Sequence, residues 1–582
     1  MKNKVLLILF VTSIIAVTIL KSMFVCDLPI VANIGLGVDD ALMIDITKHL
    51  SNGQWVGNYG DVIISKGLTF PFLLLASYNL GIDYITMMTV IYSLACLVLI
   101  LVLSKRIKNK FMLFLIYVIT LFVPIMYSYQ VMQRIYRNAL IPSFAILIIS
   151  GYMYLLFSRN EEKSFWKRFL VSLLTGFVLA LFWYTREDSI WMIPYIAFMS
   201  LSILIATIVK NKKISKELLI NILLLIIPII MIFGYRHIIC TQNEKHFGVY
   251  TVYNNESYNK AMKSLKKVKK YDYYDNIDYT VAKLKKVAEV SCLDGIYGTL
   301  EGLVYGYSLF DSSPEEGEVA NGWFPWALKS ALNQHGYYST AQNINNFFDE
   351  LHYDIEAALA DGRLEYEDVK PDLKTQITKV AKAAYLTFKA VLKYEDIYFR
   401  VEPSEYKQQD KEAYLNFYKY TGNHFFVQNV ELKEEVNLTN NPDNYKEIVN
   451  KKADIIEKLI NIYKVLNLIT FVLAIVLYII FTIIVFVGLF KKNLSRFEMW
   501  AVISGVLGAM LTLIMGIAYE TAFNAYVITA MYLSAVYSLM LIFSMLMIGQ
   551  FIKIIVEKVK EKKEINQEDT VKENAKKRIK KI

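Results

Sequence analysis

Long apolar runs alternate with short polar stretches along most of this chain. The runs lie near residues 5–22, 84–104, 111–128, 139–157, 169–184, 189–210, 217–236, 466–490, 499–518 and 525–552. About 20 apolar residues cross the hydrocarbon core as a helix. The pattern therefore predicts an all-α polytopic membrane protein with about ten transmembrane helices. A shorter apolar segment, 68–78, contains Pro71 and precedes the second run. Counting it as a crossing would put the cluster Lys105, Arg106, Lys108 and Lys110 on the outer side. It is read instead as a re-entrant or interfacial helix, which is allowed where protein covers the backbone.

Charge gives the runs a direction. The 582 residues carry 63 Lys and Arg against 53 Asp and Glu, a net charge of +10, with a mean hydropathy of +0.36. The basic residues gather at 105–110, at Lys163, Lys167 and Arg168, at Lys210, Lys212 and Lys213, at Lys491, Lys492 and Arg496, and in the tail from Lys553. Cytoplasmic loops carry such excesses. The crossings then alternate with both termini cytoplasmic, in the cell (plasma) membrane. This distribution points to the lipid bilayer as partner and excludes nucleic acid.

The expected outer loops are 23–83, 129–138, 185–188, 237–465 and 519–524. The expected units are an N-terminal transmembrane module (1–236), a mainly helical soluble domain (237–465), C-terminal transmembrane helices (466–552) and a charged tail (553–582). The first run follows Lys2 and Lys4 without a small-x-small cleavage site, so it reads as a retained anchor. Cys26, Cys96, Cys240 and Cys292 lack metal-ligand spacing. Cys240 and Cys292 both fall in or beside the large outer loop, where a disulfide between them is allowed.

The chemistry worth naming falls in the first four outer loops. Asp39 and Asp40 are adjacent acids in a helix-like run, with Asp45 close behind. On a helix they would point about 100° apart, so one could act as a base while the other positions it or binds a metal. The plainer reading is that they cap an interfacial helix. Arg134, Tyr136 and Arg137 form a second group, in which two arginines on the outer side run against the usual bias. Three apart, the arginines would share one face of a helical turn, and guanidinium forks suit phosphate oxygens. Snorkelling toward lipid head groups is the alternative.

The third group is Trp183, Arg186, Glu187, Asp188 and Trp191. There Arg186 could bind phosphate or pair with a neighbouring acid. Lys66 could add a phosphate contact. Trp323 belongs to the aromatic cluster Asn321-Gly322-Trp323-Phe324-Pro325-Trp326, which suits sugar stacking or a domain core. Asn255 and Asn437 begin glycosylation sequons.

The pattern Asp39-Asp40-Ala41-Leu42, Asn52-Gly53-Gln54-Trp55, Lys66-Gly67, Pro71 and Tyr184-Thr185-Arg186-Glu187-Asp188-Ser189-Ile190-Trp191 resembles bacterial GT-C-like membrane glycosyltransferases. More distantly the chain resembles protein O-mannosyltransferases and the aminoarabinose transferase of lipid A. The likeness covers mainly residues 1–236. The acidic motif of those families lies in the first outer loop, and carried over it falls on Asp39 and Asp40. The resemblance implies a polyprenyl-phosphate sugar donor, an acceptor it does not specify, and an inverting reaction. In it, Asp39 or Asp40 is the base, and Arg134, Arg137, Arg186 and Lys66 hold the donor phosphate. Glu187, Asp188, Tyr136 and Trp323 would bind substrate or support the site. A divalent metal (Mg or Mn), held by Asp39 or Asp40, is compatible with the same scheme. The outer domain precedes the last three crossings, so domain roles from other GT-C enzymes do not carry over. A transporter or flippase of a lipid-linked or anionic substrate, and a non-catalytic receptor or scaffold, are the competing readings.

Overall fold

In lipid a backbone must satisfy its polar groups as a helix or a closed barrel, and apolar runs of about 20 residues suit helices. The structure is a computed structural model that describes residues 2–579, apart from 36, 162–163, 212–214, 273, 275, 311–314, 316, 368–371, 403–409, 427–443, 491–495, 525–526 and 528. The Asn437 sequon lies outside the described residues. The helices are α1 (Lys2–Val25), α2 (Asp40–Ser51), α3 (Thr69–Leu80), α4 (Tyr84–Leu103), α5 (Lys110–Leu121), α6 (Ile141–Ser158), α7 (Phe165–Trp183), α8 (Ile193–Asn211), α9 (Lys216–Phe247) and α10 (Glu256–Lys267). They continue as α11 (Val281–Ala288), α12 (Asp294–Phe310), α13 (Phe324–Gln334), α14 (Ala341–Ala360), α15 (Leu373–Lys393), α16 (Lys411–Thr421), α17 (Tyr445–Phe490), α18 (Phe497–Phe523), α19 (Thr529–Tyr532) and α20 (Ser534–Ile579). The protein is an all-α polytopic membrane protein. Among the described residues, 9 helices are long and apolar enough to cross a membrane.

The run at 111–128 departs from the expectation of a tenth long helix. The helix α5 has only 12 residues. Pro124 follows, and a proline disfavours helical backbone at the residue before it. Beyond it come a 3-10 turn at Pro124–Tyr127, a π turn at Tyr129–Gln133 and a second 3-10 turn at Arg137–Ala139. The segment still runs from one end of the bundle to the other. At its start, Arg106 donates to Glu498 (2.7 Å) and to the Phe157 carbonyl (2.9 Å). At its end, the Arg134 carbonyl accepts from Tyr84 at the beginning of α4 (2.9 Å). The 20 residues of α4 separate these two levels, about 30 Å along a helix.

The helix α3, also of 12 residues, is too short to cross. Thr69 donates to the Leu181 carbonyl near the end of α7 (3.0 Å), and Asp83, just past α3, caps α4. Both its ends therefore lie at the level of Arg134.

Between α9 and α17 the chain forms two parts. Helices α10 to α14 enclose their own core around Leu265, Leu300, Phe324, Leu328 and Phe348. Helices α15 and α16 instead join the membrane core through Val391, Tyr414 and Phe417. Helix α9 runs 11 residues past position 236 to Phe247, and α17 begins at Tyr445, well before 466. The charged tail continues α20 as helix to Ile579. All four cysteines are free, so the allowed Cys240–Cys292 disulfide is not formed. Cys240 is buried in the membrane core, while Cys292 packs against the second core with its thiol toward the Phe347 carbonyl.

Candidate active site at the end of the bundle

Asp39 and Asp40 do not diverge as two residues inside a helix would. Asp39 is the N-cap of α2, with non-helical backbone (φ −124°, ψ −98°) and no capping bond from its side chain. Its carboxylate is therefore free to turn toward the same partner as that of Asp40. That partner is Arg134. Its Nε donates to Asp40 (3.0 and 3.2 Å), and its Nη2 donates to Asp39 (3.2 Å) and also bonds Asp40. Asn33 adds a donor to Asp40 (3.1 Å). The Asp40 side chain is 0% exposed, against 21% for Asp39.

Arg134 and Arg137 do not share a helical face. Arg134 ends the π turn in extended backbone (φ −77°, ψ 143°), and Tyr136 is also extended (φ −142°, ψ 152°). Irregular backbone at this depth is tolerated only where protein surrounds it. Here every residue from 130 to 141 is buried. Gln133 ties the turn in place: its amide donates to the Pro29 and Arg400 carbonyls (3.1 and 2.8 Å), and its side-chain oxygen accepts from the Arg400 N–H (2.7 Å).

Lys66 completes the acidic centre, donating to Asp39 (3.3 Å) and to the Tyr136 hydroxyl (3.2 Å). Arg137 donates to Glu187 (2.7 Å) and to the Thr185 carbonyl (3.3 Å), leaving its Nε buried without a partner. Arg186 pairs with Asp188, donates to Asn138 (3.2 Å) and lies over the Tyr532 ring (4.9 Å). The structure thus gathers Asp39, Asp40, Lys66, Arg134, Tyr136, Arg137 and Glu187 into one connected network, with the Arg186–Asp188 pair at its side.

Trp323 and Asp45 lie outside this network. Trp323 is not brought to the network: it is 42% exposed and its ring lies beside Tyr307. Asp45 turns outward to His49 (3.7 Å).

Burial and neighbours set the charges. Burial raises the Asp39 pKa, but Lys66 and Arg134, with a hydrogen bond from Tyr136, outweigh it and hold Asp39 below its ordinary value. For Asp40 burial wins over Arg134, and its pKa is raised. Glu187 is pushed up by burial and pulled down further by Arg137, ending below its ordinary value. Burial lowers the Lys66 pKa, and neighbouring Arg137 adds to the effect. Adjacent carboxylates with opposite shifts have different roles available to them.

Metal binding fits this arrangement poorly. Asp39 and Asp40 already bond the cations Lys66 and Arg134. No cluster of three or more His, Cys, Asp or Glu with metal-binding geometry occurs among the described residues.

Two residues of the outer unit reach this end of the bundle without having been singled out as site residues. The Trp326 ring lies 5.7 Å from the Lys66 ammonium, and Lys329 lies over the same ring at 5.3 Å. Their i, i+3 spacing on α13 was the available signal.

No protein-family model matches the chain, and no curated protein matches it. Among solved structures it is similar to ArnT from Cupriavidus metallidurans, in the apo state and bound to undecaprenyl phosphate. Each shares 10% identity at a TM-score of 0.29, covering 90% and 89% of this chain and 78% and 77% of those chains. A likeness of that size carries nothing about the chemistry of this chain. The functional reading rests on the site.

Proposed function

We propose that the protein is a membrane glycosyltransferase of the GT-C kind, moving a sugar from a polyprenyl-phosphate-linked donor to an acceptor at the outer face of the cell membrane, in envelope glycan assembly. The observation that carries this reading is Asp39, an accessible carboxylate held in its ionised form between Lys66 and Arg134 where the helices end.

In the proposed reaction Asp39 accepts the proton of an acceptor hydroxyl, which must come within hydrogen-bond reach. The hydroxyl oxygen bonds the anomeric carbon from the face opposite the leaving group. The bond from that carbon to the phosphate oxygen breaks, and the phosphate departs with the electron pair. Lys66 and Arg137 stabilise the developing charge, and the unpartnered Arg137 Nε is a donor ready for a phosphate oxygen. Asp40, fully enclosed, positions Arg134 and with it Asp39. Arg134 already serves two carboxylates, so its contribution is to hold the base. Arg186 supports the neighbouring turn through Asp188 and Asn138.

Orientation follows from the far end of the bundle. Lys105, Arg106, Arg159 and Arg168 gather there with Glu161, Glu498 and Glu217. The positive-inside bias assigns that end, with the start of α1, to the cytoplasm.

The test uses membranes containing the full-length protein, supplied with polyprenyl-phosphate sugars labelled in the sugar. Label should pass from the organic-extractable lipid to a glycan product, and Asp39→Asn should stop it. Label that crosses vesicles while still attached to its lipid would mark a transporter or flippase and overturn the reading.

A further inference from the structure

A cavity of about 240 Å³ opens beside Glu187, between the bundle end and the unit built from α10 to α14. Its wall includes Asp61, Ser65, Tyr253, Asn254, Asn259 and Lys329, with the rings of Tyr59, Tyr258 and Tyr338 around them. Glu187 keeps 42% of its side chain accessible, and this cavity is what it faces. Ser65 precedes Lys66, whose ammonium contacts Asp39. Through Glu187, the partner of Arg137, and through Ser65 the cavity shares its wall with the segments that carry the network.

We propose that this cavity binds the terminal sugar unit of a glycan acceptor, an assignment that rests on the glycosyltransferase reading above. The first reason is unused hydrogen-bonding capacity. The Tyr253 hydroxyl is buried with no partner. The side-chain amide of Asn259, an exposed residue of the cavity wall, and the Lys329 ammonium, which lies over the Trp326 ring, make no hydrogen bond or ion pair among the described residues. A buried polar group ordinarily has a partner; a hydroxyl-rich ring supplies one to the Tyr253 hydroxyl and also offers acceptors and donors to the more accessible Lys329 and Asn259.

The second reason is charge. Asp61 and Glu187 face the cavity together with the single cation Lys329, so the lining does not select an anion. Burial raises the Asp61 pKa and lowers that of Lys329, consistent with a site that disfavours ions. The donor phosphate then belongs on the Lys66 and Arg137 side, and a neutral ring in the cavity.

The third reason is size and continuation. At 240 Å³ the cavity is smaller than the roughly 300–1,000 Å³ of sites for drug-sized ligands, which suits one monosaccharide rather than a lipid or a peptide. Tyr59 also lines a second cavity of about 670 Å³, with Gln54, Trp55, Asn58 and His246. Trp55 and His246 stack there with ring planes 17° apart. Amides beside aromatic faces continue the same chemistry outward, as the next units of a chain would need.

The experiment is saturation-transfer NMR on the full-length protein in nanodiscs. The probes are glucose, galactose, mannose and N-acetylglucosamine, with their disaccharides and trisaccharides. At least one probe should receive saturation, and affinity should rise from mono- to trisaccharide. Asp61→Asn and Asn259→Ala should each weaken binding at least tenfold, while binding of a C55 polyprenyl phosphate stays as in the unaltered protein. The assignment is overturned if no probe receives saturation, if neither variant changes it, or if both variants lose polyprenyl phosphate as well. Sugar binding that depends on Asp61 and Asn259, in a protein that does not bind the polyprenyl phosphate, would keep the cavity as a sugar site and overturn the transferase reading instead.

Discussion

Asn substitutions at Asp39 and Asp40 should have opposite consequences, although the two residues are adjacent and chemically the same. Asp40 is 0% exposed and takes three bonds from Arg134 and one from Asn33. Asp40→Asn removes the charge that balances the buried guanidinium and leaves Asp39 as its one carboxylate partner among the described residues. Removing one member of a buried ion pair costs about 3–5 kcal/mol, most of it from the charge left behind. Asp39 is 21% exposed and bonds Arg134 and Lys66, with the Tyr136 hydroxyl beside it. A hydrogen bond to a charged group is worth about 1.5–3 kcal/mol, and solvent near Asp39 places the Asp39→Asn loss at the lower end of that range. Transfer should behave the other way: Asp39→Asn removes the base and should abolish turnover, while Asp40→Asn should keep measurable turnover at temperatures where it remains folded.

The assay is thermal unfolding in one fixed detergent, paired with transfer of labelled sugar well below both midpoints. Adding Arg134→Gln to Asp40→Asn should cost less than the sum of the single losses, because the stranded charge is gone. Equal stability losses at Asp39 and Asp40, or full transfer by Asp39→Asn, would refute the division of roles.

Three further outcomes follow from the same geometry. Since burial and Arg137 lower the Lys66 pKa, transfer should decline with rising pH below the ordinary lysine value, and Lys66→Arg should remove that alkaline limb from the pH–rate profile. In the outer unit, burial raises Glu318 to about 7 against the Val281 N–H that bonds it. The folded state then holds the proton more tightly than the unfolded chain, so stability is fullest below the ordinary glutamate value and falls as pH rises toward 7. Denaturation curves across that window should show the decline, and Glu318→Gln should flatten it. A Cβ on Gly67 would sit 1.8 Å from the Tyr184 carbonyl oxygen, so Gly67→Ala must displace the backbone next to Lys66. Overpacking costs about 1–3 kcal/mol, and a lowered thermal midpoint together with reduced transfer would report it.

The sequence determined the class of fold because runs of about 20 apolar residues have the length of membrane-crossing helices, which satisfy their own backbone in lipid. It also determined which loops share a side, because basic residues cluster at alternate ends. Residues as distant as Asp39, Arg134 and Glu187 could for that reason be grouped before any contact was known. The break in the run at 111–128 was partly legible in Pro124, but the buried turns after it were not. Their stability depends on Gln133 reaching Arg400, 267 positions away. Tertiary structure alone decided that the arginines are paired with acids, since a loop arginine reads the same whether it awaits phosphate or holds a carboxylate. It also decided between the adjacent acids. The N-cap backbone of Asp39 turns its carboxylate onto Arg134 and leaves it accessible, while position 40 falls inside the bundle. Local sequence does not record what a neighbouring helix covers, and that cover is what makes one aspartate a candidate base and the other its support.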